Sequence, residues 1–362
     1  MSTTEPTSQF TRRTSLALAA TGAVGGAAAM LGGSTAPAAH ADPAPAAVTP
    51  RPGDTAFVRV SAATAWVEPR HARADVDGPS LTVPVDLDRW NENMLDTDTR
   101  VWLTGELETQ AVLGSRVIVD EIDGDWAKVV VTHQPSPRDP RGYPGWMPLA
   151  QLVVDPKFAY AVETAPTATV VAKRSRLSRT PSGSQPGIPV SFDTVLPVVG
   201  GTGKSVKVAV PGAPAQHLPT SDVVVRAPGE AAPTPSIEDV IATGERFLGL
   251  RYLWAGVSSW GFDCSGYTFT LFHHHGITIP RDAGPQLNDS GLPKIDRADL
   301  RRGDLVFFSS EPGSESIRHV AMYVGNDQIM QSPNASRSVE IMSLTEYDTD
   351  GEYAGAVRVL DS

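Results

Sequence analysis

Residues 261–267 read GFDCSGY, and the apolar spacing that continues through Phe269 and Phe272 predicts a helix that begins beside Cys264. Unpaired N–H groups and the dipole at the first turn of a helix favour a negative thiolate and lower the pKa of a cysteine there. Cys264 is the only cysteine among the 362 residues, so it has no intrachain disulfide partner. It is then an apolar core residue, an intermolecular link or a reactive thiol. The position at a helix start favours the reactive thiol.

A thiol that hydrolyses amides needs a base and a group that orients the base. His319 opens the stretch HVAMYVG, whose alternating pattern predicts a strand with the imidazole facing a cleft. Gln331 follows twelve residues later, beyond a turn at Gly325, and can offer its side-chain oxygen to the imidazole. We therefore predict Cys264, His319 and Gln331 as catalytic residues; a structural histidine and a surface glutamine are the alternatives.

The segment 236–362 has the pattern of one α+β unit. Ser236 and Asp239 form an acidic variant of the capping box, and an apolar stripe with helical spacing follows them. After the helices come strand patterns at 305–308, 319–324 and 354–359. Helices followed by an antiparallel sheet are typical of a papain-like architecture.

The segment 57–155 predicts a small all-β barrel. Short β-branched runs at 57–60, 115–119 and 126–131 are separated by turn residues. The stretches DWAKV at 125–129 and GYPGWMP at 142–148 resemble a bacterial SH3-like domain. The segment 156–227 repeats the pattern more faintly and predicts a second such barrel. Its GGTGKS stretch at 200–205 lacks the first glycine of a phosphate-binding loop and the helix after it, which favours a hairpin turn.

The first 41 residues predict an export signal. They contain Arg12 and Arg13, an apolar run at 16–31 and a small-residue cleavage site, AHA, at 39–41; the arginine pair is similar to a twin-arginine signal. A retained membrane anchor is the alternative, and five glycines within 22–33 disfavour it. Segments 42–56 and 228–235 are rich in Pro and Ala and predict linkers. The mature chain is therefore expected outside the cell or on its wall, with no integral membrane segment after signal removal.

The net charge and the three adjacent histidines argue against nucleic acid, anionic membranes and a metal ion as binding partners. A formal net charge of −11 disfavours nucleic acid and anionic membranes as partners. Residues 273–275 are three consecutive histidines, which point about 100° apart on a helix and do not converge on one metal ion. They fit the end of the Cys264 helix instead, with Gly276 after it. We expect neither a metal nor a cofactor.

Four motifs in order, RYLWAG at 251–256, FDCSG at 262–266, RGDLVFF at 302–308 and the His319 strand, resemble the NlpC-type cell-wall cysteine peptidases over residues 236–360. In that family the third catalytic member is commonly His, Asn or Gln, which falls on Gln331 here. The resemblance implies that Tyr252 supports the oxyanion and that Trp254, Asp263 and Ser265 lie at the substrate site.

The resemblance also implies a substrate. It points to hydrolysis of the bond between γ-D-glutamate and the diamino acid of peptidoglycan stem peptides, without a cofactor, with the barrels binding wall or narrowing the cleft. A papain-like amidase or acyltransferase acting on another amide is one alternative. A catalytically weak wall-binding protein is the other.

Asp282, in PRDAGPQ at 280–286, suggests a specificity element. It is either a solvated turn carboxylate paired with Arg281 or, as in relatives that it resembles, the group that binds the free amino end of L-Ala-γ-D-Glu. Ala283 stands where that family often has Ser. Tyr143, on the GYPGW loop of the first barrel, is expected to cap the same pocket.

Overall fold

The computed structural model describes residues 48–361. The predicted export signal at 1–41 and residues 42–47 of the predicted linker lie outside them. Within 48–361 no helix is both long enough and apolar enough to cross a membrane. Val48 pairs with Val154 and the first strand begins at Thr55, so the described part of the 42–56 segment runs along the first barrel and is not a free tether.

The first domain is a seven-stranded antiparallel sheet of order β3-β2-β6-β5-β4-β1-β7. Its strands are β1 (Thr55–Val58), β2 (Ala62–Trp66), β3 (Leu107–Val112), β4 (Arg116–Asp123), β5 (Trp126–Val131), β6 (Tyr143–Pro148) and β7 (Leu152–Val153). Between β2 and β3 lie three short helices that the strand pattern did not predict: α1 (Gly78–Leu81), α2 (Leu87–Asn93) and α3 (Thr97–Val101). The barrel core is built around Trp66 and Trp126 and is continuous with Leu253 and Trp260 of the C-terminal domain.

The second domain is another seven-stranded antiparallel sheet, of order β10-β9-β13-β12-β11-β8-β14. Helix α4 (Pro156–Thr164) precedes it, capped by Asp155. The strands are β8 (Thr167–Val170), β9 (Arg174–Ser178), β10 (Pro186–Ser191), β11 (Val195–Thr202), β12 (Ser205–Val210), β13 (Ala213–Pro219) and β14 (Val223–Arg226). Thr202 pairs with Ser205, which confirms that the GGTGKS stretch is a hairpin.

The C-terminal domain packs helices on a six-stranded sheet of order β17-β22-β18-β19-β20-β21. Its helices are α5 (Ile237–Glu245), α6 (Cys264–His274), α7 (Ala283–Asn288) and α8 (Leu344–Tyr347). Its strands are β15 (Val257–Ser258) and β16 (Gly261–Phe262), which form a separate pair, and β17 (Lys294–Ile295), β18 (Leu305–Ser309), β19 (Ile317–Gly325), β20 (Gln328–Gln331), β21 (Glu340–Ser343) and β22 (Tyr353–Val357). The capping box of Ser236 and Asp239 is present at the start of α5. Short 3-10 turns occur at Leu149–Gln151, Thr220–Asp222 and Arg297–Asp299.

Helix α6 is enclosed on all sides. Every residue from Cys264 to Phe272 is buried, and Phe269 and Phe272 pack in one core with Phe307, Val320 and Met322 of the sheet. A side chain at position 266 would overlap the carbonyl oxygen of Gly256, so Gly266 permits the close approach of the 253–256 loop to the first turn. Leu253 and Ala255 of this loop belong to the core of the first barrel, so the start of α6 lies between the sheet and that barrel.

Candidate active site

Cys264 is the first residue of α6 and is 8% exposed. Asp263 is the N-cap, and its carboxylate accepts a 2.5 Å hydrogen bond from the Gly266 N–H. The guanidinium of Arg281 binds both oxygens of the same carboxylate, at 3.1 and 2.8 Å. The sequence therefore predicted the helix start correctly.

The electrostatics of the thiol differ from the sequence-based expectation. Burial, and next the charge of Asp263, raise the pKa of Cys264 to about 12, although the backbone N–H groups of Val320 and Ser265 are directed at the sulfur and lower it. The helix-start argument was wrong for the free thiol because desolvation of the thiolate outweighs the N–H groups of the first turn. The free thiol is therefore protonated near pH 7 and needs a base to become a thiolate.

His319 lies at the start of β19, next to Val320, and is buried. Its Nε2 is 2.7 Å from Oε1 of Gln331, and because an amide oxygen only accepts, Nε2 carries the proton. Its Nδ1 is buried, and no group within residues 48–361 forms a hydrogen bond with it. Burial lowers the pKa of His319 to about 4, so the ring is neutral near pH 7. A neutral imidazole with a free Nδ1 lone pair can accept a proton.

Tyr252 lies near the sulfur as a buried hydroxyl. Burial, with a further contribution from Cys264, raises the pKa of Tyr252 well above its ordinary value, so the hydroxyl stays a donor. The backbone carbonyl of Tyr252 accepts a 2.9 Å hydrogen bond from the buried Arg100 on α3. Trp254 is half-buried, and its indole N–H donates to the Leu107 carbonyl of the first barrel at 3.0 Å. The indole N–H of Trp254 therefore forms a hydrogen bond between the C-terminal domain and the first barrel.

Asp263 and Ser265 are joined by Arg281. Besides the two contacts with Asp263, Nη1 of Arg281 donates to Ser265 Oγ at 3.0 Å. Nε of Arg281 donates to Thr109 Oγ1 of the first barrel at 3.1 Å, and the Arg281 backbone N–H donates to the Pro135 carbonyl at 3.0 Å. Arg281 is fully buried. It ties the start of α6 to the first barrel, a link that the sequence analysis missed because Arg281 was read only as a partner of Asp282.

Asp282 and Tyr143 meet although they are 139 residues apart, with Tyr143 Oη donating to Asp282 Oδ2 at 2.8 Å. Asp282 is the N-cap of α7, yet its side chain makes no capping hydrogen bond. Its side chain is 36% exposed and lies 3.8 Å from Arg281 Nη1. Burial raises the pKa of Asp282, against the opposing effects of Arg281 and Tyr143. The loose contact with Arg281 exists, but the carboxylate faces Tyr143.

The three histidines end α6 as expected, and two of them share one carboxylate. Nδ1 of His273 and Nδ1 of His274 lie 2.6 and 3.2 Å from the two oxygens of Asp193, which belongs to the second barrel. Among residues 48–361 no group of three or more His, Cys, Asp or Glu side chains has a metal-binding arrangement. Asp193 was not predicted, because nothing local in its sequence indicates this contact.

Comparison with known proteins agrees with this architecture. The profile of the NlpC/P60 family matches residues 249–358, and that of the YKFC SH3b2 domain matches residues 170–225. A gamma-D-glutamyl-L-lysine dipeptidyl-peptidase from Bacillus cereus is 44% identical over 313 residues, covering 84% of this chain and 91% of that protein. One of the same name from Bacillus subtilis is 37% identical, covering 78% and 92%.

A crystal structure of an NlpC/P60 family protein from Bacillus cereus superposes with a TM-score of 0.80 at 44% identity, covering 85% of this chain and 100% of that one. The likeness therefore extends through both barrels and the C-terminal domain. The chain belongs to the NlpC/P60 family of cysteine peptidases.

Proposed function

We propose that this peptidase hydrolyses the γ-D-glutamyl–diamino acid bond of peptidoglycan stem peptides, with Cys264 as nucleophile and His319 as base. The proposal is carried by the position of His319, whose buried Nδ1 has no partner among the described residues. The next residue, Val320, directs its backbone N–H at the Cys264 sulfur. The substrate class is supported by the likeness, over most of both chains, to two proteins named gamma-D-glutamyl-L-lysine dipeptidyl-peptidase.

In the proposed reaction Nδ1 of His319 takes the thiol proton as the sulfur attacks the γ-glutamyl carbonyl. The Cys264 backbone N–H and the Tyr252 hydroxyl donate to the developing oxyanion. The imidazolium then protonates the leaving amine, and a water molecule activated by His319 releases the acyl group. Gln331 accepts from Nε2 throughout and keeps the ring in place.

We further propose that Asp282 and Tyr143 select stem peptides with a free N-terminal L-Ala. The Asp282 carboxylate is partly exposed, is not used to cap α7 and is oriented by the Tyr143 hydroxyl. An ammonium bound there contributes on the order of 1.5 to 3 kcal/mol, roughly ten- to a hundredfold in specificity. Peptides still joined to the glycan lack this ammonium.

The test compares L-Ala-γ-D-Glu-L-Lys with its N-acetylated twin, using mass spectrometry to identify the bond cut. Wild type should favour the free amine by about ten- to a hundredfold in kcat/KM. Asp282→Asn should lose most of that preference, and Asp289→Asn, an exposed carboxylate at the other end of α7, should keep it. Equal cleavage of the twins by wild type would overturn the selectivity; cleavage of a different bond would overturn the substrate class.

We also propose that the chain is exported through its predicted signal and acts at the cell wall. Arg12, Arg13 and the AHA site before Asp42 support this. N-terminal sequencing of the protein recovered from culture medium and from wall fractions should give Asp42 as the first residue. Recovery of the intact chain from the cytoplasm alone would contradict export.

A further inference from the structure

Gln331 and Glu340 form a directly opposed pair between β20 and β21. Gln331 is fully buried, and the Glu340 side chain is 23% exposed. Nε2 of Gln331 donates to Glu340 Oε1 at 3.1 Å, while Oε1 of Gln331 faces Nε2 of His319 at 2.7 Å. The Arg337 guanidinium lies 2.8 Å from the same Glu340 oxygen. A chain of polar contacts therefore continues from His319 through Gln331 to Glu340 and Arg337.

The orientation of the Gln331 amide decides which ring nitrogen of His319 is the base. With the oxygen toward the ring, Nε2 holds the proton and Nδ1 keeps its lone pair for the Cys264 thiol. With the NH₂ group toward the ring, Nε2 must accept, and the neutral ring then carries its proton on Nδ1. The two ends of an amide have nearly the same shape, so packing alone distinguishes them poorly.

Glu340 removes this ambiguity. An ionised carboxylate only accepts hydrogen bonds, so it pairs with the NH₂ end and not with the oxygen end. The Arg337 guanidinium, 2.8 Å from the same Glu340 oxygen, is a second donor group directed at this acceptor. Sδ of Met342, a weak acceptor 3.2 Å from the same Nε2, selects the same orientation.

We propose that Glu340 is a positioning residue, which fixes the Gln331 amide and thereby holds His319 in the tautomer whose Nδ1 is free to accept the Cys264 proton. This inference rests on the proposed function for the role of His319 in catalysis. The tautomer itself is a property of the resting enzyme, so it is measurable without turnover.

The test uses two substitutions of Glu340 that differ in hydrogen-bonding capacity, and a double variant in which residues 331 and 340 exchange their side chains. In Glu340→Gln the new amide presents either end, and kcat should fall roughly three- to tenfold with little change in KM, because Glu340 acts through Gln331. Glu340→Lys presents only donors, and kcat should fall on the order of a hundredfold, because the tautomer is reversed. The exchange variant Gln331→Glu with Glu340→Gln again puts an acceptor-only group against the ring and should recover most of kcat relative to Glu340→Lys.

The direct readout is the long-range ¹H–¹⁵N NMR spectrum of histidine-labelled full-length protein near pH 7, with His319 assigned through His319→Asn. Wild type and the exchange variant should show the proton on Nε2, and Glu340→Lys should show it on Nδ1. Glu238→Gln, which alters an exposed ion pair with Arg302, should leave spectrum and kcat unchanged.

Retention of the Nε2 proton together with wild-type kcat in both Glu340→Gln and Glu340→Lys would overturn the proposal. Failure of the exchange variant to restore the Nε2 proton would also count against it. A tautomer change in Glu340→Lys supports the positioning role even if wild type does not cleave stem peptides, in which case only the proposed function fails.

Discussion

At the scale of single residues, Cys264 and His319 are both driven toward their neutral forms by burial. The pKa of Cys264 rises to about 12 and that of His319 falls to about 4. Between these values the resting pair is a thiol and a neutral imidazole. In the proposed mechanism the nucleophile is therefore generated during attack, by proton transfer from the Cys264 thiol to Nδ1 of His319.

The pH dependence follows from this state. His319 must be neutral to accept the thiol proton, so kcat/KM should rise with pH through an acid limb near 4 and stay level through neutrality. The measurement is kcat/KM against pH on the free-amine peptide, with Cys264→Ala giving the background and the acid unfolding range excluded by fluorescence. The limb should persist in Asp282→Asn, because it belongs to the imidazole. A limb at the ordinary histidine value of about 6.5 would contradict the effect of burial.

At the scale of elements, the first turn of α6 depends on a buried ion pair. Asp263 caps the helix through the Gly266 N–H, and Arg281 binds that carboxylate while contacting Thr109 of the first barrel. Both charged groups are buried, so each is stable there only while the other is present. The position of Cys264 is thus coupled to the barrel through Arg281.

Removing one partner of the Asp263–Arg281 pair should lower the free energy of unfolding more than removing both partners. Arg281→Met leaves the Asp263 carboxylate buried and unpaired, and should lower the free energy of unfolding by about 3–5 kcal/mol. Asp263→Asn retains a capping group but leaves the Arg281 cation with only the loose 3.8 Å contact to Asp282. Urea unfolding of the two single variants and the double variant gives the coupling energy. Strictly additive losses would show that the pair does not act as a unit.

At the scale of the whole molecule, Asp193 of the second barrel contacts His273 and His274 at the end of α6. His133 of the first barrel lies beside the same helix end, with its ring centroid 5.5 Å from that of His273. Burial alone would raise the pKa of Asp193, but His273 and His274 outweigh it and hold the pKa at about 2. Burial lowers the pKa of His273, but Asp193 outweighs burial, so the pKa lies above its ordinary value. Burial and His273 together lower the pKa of His133 to about 3.

These shifts give the junction a pH window. The raised His273 pKa stabilises the fold below the unfolded histidine value of about 6.5, and that contribution is lost as pH rises through the folded value. The lowered Asp193 pKa stabilises the fold above about 3.9 and is lost on acidification toward its folded value. Both contributions are therefore present together between about pH 4 and 6.5.

Asp193→Asn should lower the urea midpoint within this window, by an equivalent of about 1–3 kcal/mol, and by less in mild alkali. Asn tolerates the left-handed backbone at this position, where φ is 64°, so the change removes charge without adding strain. Unfolding followed at pH 5.5 and 8.5, with the exposed Asp75→Asn as control, measures the difference. An equal loss at both pH values would show that the contact is not charge-dependent.

The sequence by itself determined the features that local patterns encode. The helix start at Cys264, the strand that contains His319 and the capping box at Ser236 depend on neighbours within a few residues, and the family followed from these motifs and their order. The catalytic roles of Cys264, His319 and Gln331 stay predictions; the structure joins His319 to Gln331 by a hydrogen bond and places the Val320 N–H, next to His319, against the Cys264 sulfur.

Only the tertiary structure decided the partners and the charge states. Tyr143 meets Asp282, Arg281 holds Asp263, Glu340 faces Gln331 and Asp193 binds His273 because separate segments bury their surfaces against one another. The pKa of Cys264 moved opposite to the local expectation for the same reason. Desolvation depends on everything that surrounds a group, and the helix start that a sequence reveals is only one part of those surroundings.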